Sequence, residues 1–324
     1  MKAVVAREFG PPESFSIEEV PLPQPGPKQV RVSVRAAGIS FVDSLLGKGL
    51  YQVKPELPFT PGTEFAGVIT AMGAGVEGLK VGDRVCAGGM AGGFAEEALA
   101  PASRAIKLPD SMDFHEGSIF RVSYATAYYS LVQRGQLQPG ETLLVLGAAG
   151  ATGLAAVQVG KALGARVVAS ASSPEKRAMA MSAGADAAVE ARADDWRDQV
   201  RAAAPKGVDV VFDPVGGEAM EPAFRSLGWR GRHLIVGFVG GIAKLPTNLA
   251  LVKGASLVGV DIRQFGLNEP QTAAANIAAI LKLHGEGKLK PPIGAVYPFE
   301  RFAEAMNAVS NNEVVGRVIL EIAG

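Results

Sequence analysis

The sequence predicts an α/β fold with two domains, one rich in β-strands and one built on a doubly wound parallel sheet. Short apolar or alternating runs, separated by proline and glycine, occupy residues 1 to about 110. From about residue 123 to 260, strand-like runs alternate with helical patterns, which is typical of a parallel sheet. The length of 324 residues also suits two domains better than one.

The first part of the chain supplies the β-rich domain. The opening run MKAVVAREFG is too short in its apolar part for a signal peptide and is typical of a strand. Further strands are predicted at residues 30–34, 66–69 and 83–87. The single cysteine, Cys86, falls in the last of these runs, so we expect a small buried residue rather than a catalytic thiol.

The middle of the chain contains an apolar run, a glycine-rich turn and a helical pattern in immediate succession, LLVLGAAGATG at residues 143–153. A helix N-terminus in this setting binds a pyrophosphate through backbone N–H groups, so the segment predicts a dinucleotide site. A strand at 166–171 completes the βαβ unit, and an ordinary turn without a ligand is the alternative. The expected contacts are Gly147, Ala149, Gly150, Ala151, Thr152 and Gly153.

The end of the second strand indicates which dinucleotide binds. Sites for NAD usually carry Asp or Glu about 20 residues after the glycines, and here that position falls on Ala171 or Ser172. Ser172, Lys176 and Arg177 instead offer a hydroxyl and two cations for a 2′-phosphate, which favours NADPH. The same residues also suit a helix N-cap, at Ser172 or Ser173, followed by a solvated face, and the two interpretations are compatible.

The tail continues with a helix at 272–284, a strand near 293–297, a helix at 300–309 and a last strand at 317–322. It is too short to form its own core, so we expect it to pack on the N-terminal β-rich domain. The predicted division is therefore 1–122 with 261–324 for the β-rich domain, and 123–260 for the parallel-sheet domain.

Composition argues against several classes of function. Lys plus Arg equals Asp plus Glu at 32 each, so we do not expect nucleic acid as a partner. The chain has no run of 18 apolar residues, so we expect no membrane span and a cytoplasmic protein. One cysteine and three widely separated histidines, His115, His233 and His284, lack the spacing of metal ligands, so no metal is expected.

Several segments, in this order and spacing, resemble the zinc-free NADPH:quinone oxidoreductase (zeta-crystallin-like) family of medium-chain dehydrogenases/reductases. They are MKAVV, GTEFAG at 62–67, VGDRV at 81–85, the glycine-rich loop, FDPVGG at 212–217 and GRV at 316–318. The resemblance implies a groES-like catalytic domain formed by both chain ends, a Rossmann domain between them, and NADPH as cofactor. It also implies a homodimer formed through the Rossmann sheet edge, near residues 234–238 and 257–260.

The resemblance further implies chemistry without zinc. Zinc enzymes of the superfamily place Cys where this chain has Ser40 and His where it has Thr63. Their four-cysteine structural lobe cannot form from one cysteine. The implied reaction is hydride transfer from nicotinamide to a quinone or another electron-poor small molecule.

The resemblance assigns site residues outside the glycine-rich loop. Tyr51 aligns with a tyrosine of the substrate site, where its hydroxyl could donate a proton or where its ring could only shape the pocket. Ser40 stands where relatives have an asparagine near the nicotinamide. Arg317 would contact a cofactor phosphate, unless it is a solvated charge at a strand end. Further cofactor contacts are implied for Thr126, Val215, Phe238 and Val239, and for Arg192, which would replace a tyrosine that relatives often have at Ala191.

Three functions follow as hypotheses. The first is NADPH-dependent quinone reduction. The second is reduction of activated C=C bonds in enals, enones or enoyl thioesters, which a proton donor at Tyr51 would suit better. The third is a non-catalytic NADPH-binding protein, as some zeta-crystallins have become.

Overall fold

The computed structural model describes residues 1–311 and 313–322. The strands are β1 (Lys2–Val5), β2 (Ser16–Glu19), β3 (Gln29–Ile39), β4 (Glu64–Met72), β5 (Arg84–Gly88), β6 (Glu97–Pro101), β7 (Ile106–Lys107), β8 (Thr142–Val145), β9 (Arg166–Ala171), β10 (Ala187–Glu190), β11 (Val208–Asp213), β12 (Leu227–Ile235), β13 (Ser256–Gly259), β14 (Ile293–Pro298) and β15 (Arg317–Glu321). The helices are α1 (Phe41–Gly47), α2 (Phe114–Tyr128), α3 (Ala151–Ala162), α4 (Pro174–Ser182), α5 (Trp196–Ala203), α6 (Met220–Arg225), α7 (Asn248–Lys253), α8 (Ile262–Asn268), α9 (Pro270–Gly285) and α10 (Phe302–Ser310).

The chain divides by its contacts into two compact units. The terminal unit contains Met1–Val122 and the described part of Pro291–Gly324, and the central unit contains Ser123–Lys290. The sequence-based division places the second boundary after residue 260 instead. The difference covers α8 and α9, which pack within the central unit. The Phe265 ring stacks on Tyr129 at 3.9 Å between centroids, and the side chains of Asn276 and Gln133 are hydrogen-bonded.

The terminal unit is built on a largely antiparallel sheet in the order β14-β15-β3-β4-β5-β7, with β6 also paired to β3. Its longest strand, β3, alternates as the sequence predicts, since Val30, Val32 and Val34 are fully buried. The C-terminal strand β15 pairs antiparallel with β3, so the last part of the chain completes the N-terminal sheet. None of the described helices combines the length and apolar character needed to cross a membrane.

The central unit is built on a parallel sheet in the order β10-β9-β8-β11-β12-β13. The middle strands β8, β9 and β11 are buried on both faces, which explains their continuous apolar sequences. The first strand, β8, lies between β9 and β11, so the chain winds outward in both directions from it. The crevice at the carboxyl ends of β8 and β11 is therefore the expected ligand site of such a sheet.

These two sheets confirm the predicted fold class. They also correct one detail of the expected dimer edge. Within the described residues, β10 and β13 are the two edge strands of the parallel sheet, whereas β12 lies between β11 and β13. Residues 234–238 are therefore inside the sheet or beyond its carboxyl end, and of the two expected segments only the one near 257–260 falls on an edge strand.

Candidate functional site

The glycine-rich loop between β8 and α3 is shaped by three glycines with different roles. Gly147 has a φ of +55°, a left-handed conformation that glycine adopts without strain. Gly150 is the N-cap of α3 and has no side chain with which to cap the helix. A Cβ on Gly153 would lie 2.3 Å from the Gly147 carbonyl oxygen, so only glycine lets α3 lie this close to the loop. The first N–H groups of α3 have no intrahelical acceptors, and the N-cap Gly150 is exposed, so an anion can bind there.

A buried carboxylate organises the loop that follows β11. Asp213 Oδ1 accepts hydrogen bonds from the N–H groups of Val215 and Gly216, both at 2.8 Å. Its Oδ2 lies 2.9 Å from His233 Nε2 on the neighbouring strand β12, and both side chains are buried. Within the described residues, His233 Nδ1 has no hydrogen-bond partner. Nε2 is therefore the ring nitrogen placed to donate to the Asp213 carboxylate.

This loop contacts two other segments at the carboxyl ends of the strands. Val215 Cγ2 lies 3.1 Å from the position that a Cβ on Gly147 would take. The Gly240 N–H donates to the Val215 carbonyl oxygen at 2.8 Å. Phe238 and Val239, in the segment after β12, expose 54% and 64% of their surface. The central unit thus brings the glycine-rich loop, Val215 and the Phe238–Val239 pair side by side.

The residues predicted to contact a 2′-phosphate lie at the end of β9 and in the first turn of α4. Ser173 is the N-cap of α4, where its Oγ accepts from the Lys176 N–H at 3.3 Å, and Pro174 opens the helix. Ser172 is left half-buried between the strand and the cap. Among the described residues, no hydrogen bond or ion pair engages the Lys176 ammonium group.

Arg177 has a partner that the sequence reasoning missed. Its Nη1 lies 2.7 Å from Glu190 Oε2, and the same nitrogen donates to the Ala171 carbonyl oxygen at 3.4 Å. Glu190 is the last residue of β10 and pairs in register with Ala171 at the end of β9. Arg192, two residues later, is exposed. The sequence signal for this contact is the acidic residue at the end of AAVE. That strand is the neighbour of the strand that ends at the predicted phosphate site.

In the terminal unit, Ser40 and Thr63 are joined by Asp43. Ser40 is the N-cap of α1, and its N–H and Oγ–H both donate to Asp43 Oδ2, at 2.8 and 2.7 Å. The Thr63 N–H donates to Asp43 Oδ1 at 2.9 Å. Burial raises the pKa of Asp43, and the hydrogen bonds from Ser40 and Thr63 oppose that rise. The two positions that hold zinc ligands in the zinc enzymes therefore share one buried carboxyl group here.

The next residue, Glu64, forms a second buried charged contact. Its Oε1 accepts from the Val122 N–H at 2.7 Å, and its Oε2 lies 3.7 Å from Arg317 Nη2. The Arg317 side chain is only 7% exposed, so it is not a solvated charge at a strand end. Burial raises the pKa of Glu64, while the guanidinium groups of Arg317 and Arg121 lower it. Arg317 therefore neutralises Glu64 within the terminal unit.

Tyr51 and Thr126 belong to different units. Tyr51 follows α1 in the terminal unit and is half-buried, and its hydroxyl makes no hydrogen bond to any described residue. Thr126 is buried on α2 in the central unit, where its carbonyl oxygen accepts from Ser130 Oγ at 2.6 Å. Ser40, Tyr51 and Arg317 thus lie in the terminal unit, and the other predicted site residues lie in the central unit.

The possible metal ligands are dispersed. Among residues 1–311 and 313–322, no three His, Cys, Asp or Glu side chains are grouped so that they could hold a metal ion. Burial in β5 raises the pKa of Cys86 to about 12. His115 Nε2 lies 3.3 Å from Glu321 Oε1, whereas His233 contacts Asp213.

Comparison with known proteins gives matches over nearly the whole chain. A family model described as alcohol dehydrogenase GroES-like domain matches residues 26–110, and one described as zinc-binding dehydrogenase matches residues 151–279. The rat quinone oxidoreductase-like protein 2 is 37% identical to this chain. The alignment covers 99% of this chain and 92% of the rat protein.

Solved structures give the same result. The quinone oxidoreductase from Thermus thermophilus, whose complex with NADPH is also known, superposes with a TM-score of 0.87 and 32% identity, over 99% of this chain and 100% of that one. The Escherichia coli quinone oxidoreductase in complex with NADPH gives a TM-score of 0.91 and 26% identity, over 99% and 100% of the two chains.

Proposed function

The chain belongs to the quinone oxidoreductase family of medium-chain dehydrogenases/reductases, and on that premise we propose that it reduces quinones with NADPH and without a metal ion. The resemblance predicted from the sequence is thereby confirmed at the level of the family. The observation that carries the proposal is the open N-terminus of α3 behind Gly147, Gly150 and Gly153, placed where the parallel sheet winds outward in both directions.

The residues around this loop fit a dinucleotide. The N–H groups of Ala151, Thr152 and Gly153 would bind the pyrophosphate, and Lys176 with Ser172 would bind a 2′-phosphate at the end of β9. When bound, NADPH supplies a hydride from C4 of its nicotinamide ring. Val215, Phe238 and Val239 would hold that ring and limit the access of water to it.

Several observations support a reaction without zinc. At the two positions that carry zinc ligands in the zinc enzymes, this chain has a Ser40 hydroxyl and Thr63. The Ser40 hydroxyl proton is already donated to Asp43, and Cys86 is held as a thiol by its high pKa. Quinones are electron-poor enough to accept a hydride without a Lewis acid, whereas alcohol oxidation in the zinc enzymes proceeds through a zinc alkoxide.

A second candidate, reduction of activated C=C bonds, is favoured by Tyr51. The phenol hydroxyl is not engaged by any described residue, so its proton remains available to a substrate. Reduction of an alkene needs a proton on carbon, whereas a quinol oxygen can take its proton from water. Tyr51 is therefore a proton donor in this second reaction and a pocket residue in the first.

We also propose that a second copy of the chain pairs along the edge strand β13. Leu257 of β13 is 44% exposed, and Leu251 and Val252 of the adjacent α7 are 82% and 71% exposed. An unpaired edge strand together with large exposed apolar side chains is typical of a protein interface. The family resemblance of the sequence implies pairing through an edge of this sheet.

One experiment separates the candidates. We would follow the oxidation of NADPH by the metal-free protein with benzoquinone or phenanthrenequinone, and separately with an enone or crotonyl thioester. Faster turnover with the quinones supports the proposal. Faster turnover with the C=C acceptors favours the second candidate, and binding of NADPH with no turnover of either acceptor class would favour a non-catalytic role.

The variant Tyr51→Phe sharpens this comparison. If quinone reduction is the activity, we expect its rate to stay within about twofold, because no proton from Tyr51 is needed. If C=C reduction is the activity, we expect the rate to fall by about 10²-fold, the usual contribution of a general acid. Tyr297→Phe is the matched control, since Tyr297 is also half-buried but lies on β14 against Arg301.

A further inference from the structure

We propose that Glu190 determines how strongly this protein prefers NADPH over NADH, by holding Arg177 in an ion pair beside the 2′-phosphate site. The inference rests on the proposed function, because it requires that a dinucleotide binds at the end of β9. It adds a specificity residue that neither the cofactor motif nor the family comparison assigns.

The first step is the position of Glu190. It ends β10, which pairs in parallel with β9, and its register partner is Ala171, the last residue of β9. Neighbouring strands lie about 4.8 Å apart, so the Glu190 backbone is adjacent to the strand end where an adenosine ribose would bind. An acidic residue therefore adjoins this strand end, although it belongs to the next strand.

The second step is the state of Arg177. Its Nη1 lies 2.7 Å from Glu190 Oε2, and its side chain is 22% exposed while that of Glu190 is 37% exposed. A 2′-phosphate must share this guanidinium group with a carboxylate that is already bound to it. A ribose 2′-hydroxyl carries no charge that depends on this guanidinium group. The ion pair therefore reduces the advantage of NADPH over NADH.

The third step is the contrast with Lys176. Its ammonium group is not paired with any described residue, and its backbone N–H is bound by the cap residue Ser173, which fixes the first turn of α4. Lys176 is therefore the cation that a 2′-phosphate can bind without displacing a partner. Replacement of Lys176 and replacement of Glu190 should move the preference in opposite directions.

The test is the ratio of the dissociation constants of NADH and NADPH, measured by fluorescence titration for the wild-type protein and its variants. We expect Glu190→Gln to increase the preference for NADPH by about twofold to fivefold, the range of a partly exposed charge pair. In the Arg177→Ala background, the same substitution should change the ratio by less than about twofold, because the cation it would release is gone. Lys176→Ala should lower the preference.

The matched control is Glu221→Gln. Glu221 lies on α6 of the same unit, forms an ion pair with Arg225 at 2.7 Å and is also 37% exposed. This variant should leave the ratio unchanged. If Glu190→Gln behaves like Glu221→Gln, or shifts the ratio equally with and without Arg177, the inference is overturned while the proposed function stands. If the wild-type protein binds neither dinucleotide, the proposed function itself fails.

Discussion

Cys86 shows how burial can dominate the chemistry of a side chain. It lies in β5 with 1% of its surface exposed, and burial raises the pKa of its thiol to about 12. At pH 8 only about one thiol in 10⁴ is then ionised, against roughly one in four for a free cysteine with a pKa of about 8.5. Because the thiolate is the nucleophile, we expect no reaction of the native protein with a disulfide reagent while the urea-unfolded protein reacts fully.

The pH dependence has a defined sign. Below a pKa of about 12 the thiolate fraction of the native protein grows tenfold with each pH unit, whereas that of the unfolded chain levels off above about pH 9. Cys86→Ala should keep the NADPH-dependent activity. Fast labelling of the native protein at pH 8, or loss of activity in Cys86→Ala, would assign the thiol a role that its burial argues against.

His233 and Glu190 show what a sequence cannot reveal at the scale of a residue. In the sequence, His233 is one of three isolated histidines, and its partner Asp213 is 20 residues away. The pair forms because β11 and β12 run in parallel, with Val211 in register with His233. Glu190 likewise meets Arg177 only through the pairing of β10 with β9. Contacts across strands depend on register, which the residue pattern does not specify.

At the scale of an element, the glycine-rich loop was predictable because its constraints are local. A Cβ at residue 153 would meet Gly147 only six positions earlier, so the spacing of the glycines records the packing of α3 on the loop. The start of helix α1 was equally predictable from the sequence, since Ser40 and Asp43 form a capping box. The sequence analysis considers Ser40 only in the comparison with the zinc enzymes and predicts no helix there.

Gly153→Ala tests the role of the glycine-rich loop. The added Cβ would lie 2.3 Å from the Gly147 carbonyl oxygen and 2.9 Å from Ala148 Cα, so α3 or the loop must shift. We expect the free energy of unfolding to fall by about 1–3 kcal/mol, the usual range for overpacking. We also expect NADPH to bind at least about tenfold more weakly, because the N–H groups at the start of α3 move with the helix. Urea unfolding and fluorescence titration measure the two effects.

Gly266→Ala provides the control for this prediction. Gly266 lies inside α8, where a Cβ would meet no atom within 4 Å, so the change should stabilise the helix by up to about 1 kcal/mol. If Gly153→Ala proves as harmless as Gly266→Ala in both measurements, the close approach of α3 to the loop is needed neither for stability nor for NADPH binding.

At the scale of the whole molecule, the alternation of strands and helices predicted the fold class, but not where the central unit ends. The sequence pattern places the end of this unit at residue 260, because the last strand of the alternating pattern ends there. Helices α8 and α9 lie with the central unit because of contacts made far back in the chain, between Phe265 and Tyr129 and between Asn276 and Gln133. Such contacts leave no local pattern, since their partners are far apart in the sequence, 143 residues for Gln133 and Asn276.

The proposed dimer is the prediction that concerns the whole molecule. We define the edge surface as Trp229, Leu251, Val252 and Leu257, whose exposed fractions are 74%, 82%, 71% and 44%. The Trp229 ring packs over Gly254, at the C-terminal end of α7, and Leu257 follows on β13. Single exposed apolar residues are ordinary, but this group adjoins the unpaired edge of a sheet, where a second copy related by a two-fold axis can pair strand with strand.

Leu251→Lys combined with Val252→Lys should therefore convert the protein from two chains to one, as measured by sedimentation or light scattering. Both side chains are exposed in the protomer, so the fold should be retained, whereas burying two ammonium groups in an interface without partners is strongly unfavourable. Val81→Lys is the control, because Val81 is 57% exposed, belongs to the terminal unit and is not part of the edge surface, so it should leave the mass unchanged. If the wild-type protein sediments as a single chain, or if the double variant remains a dimer, the chain does not pair through the edge surface.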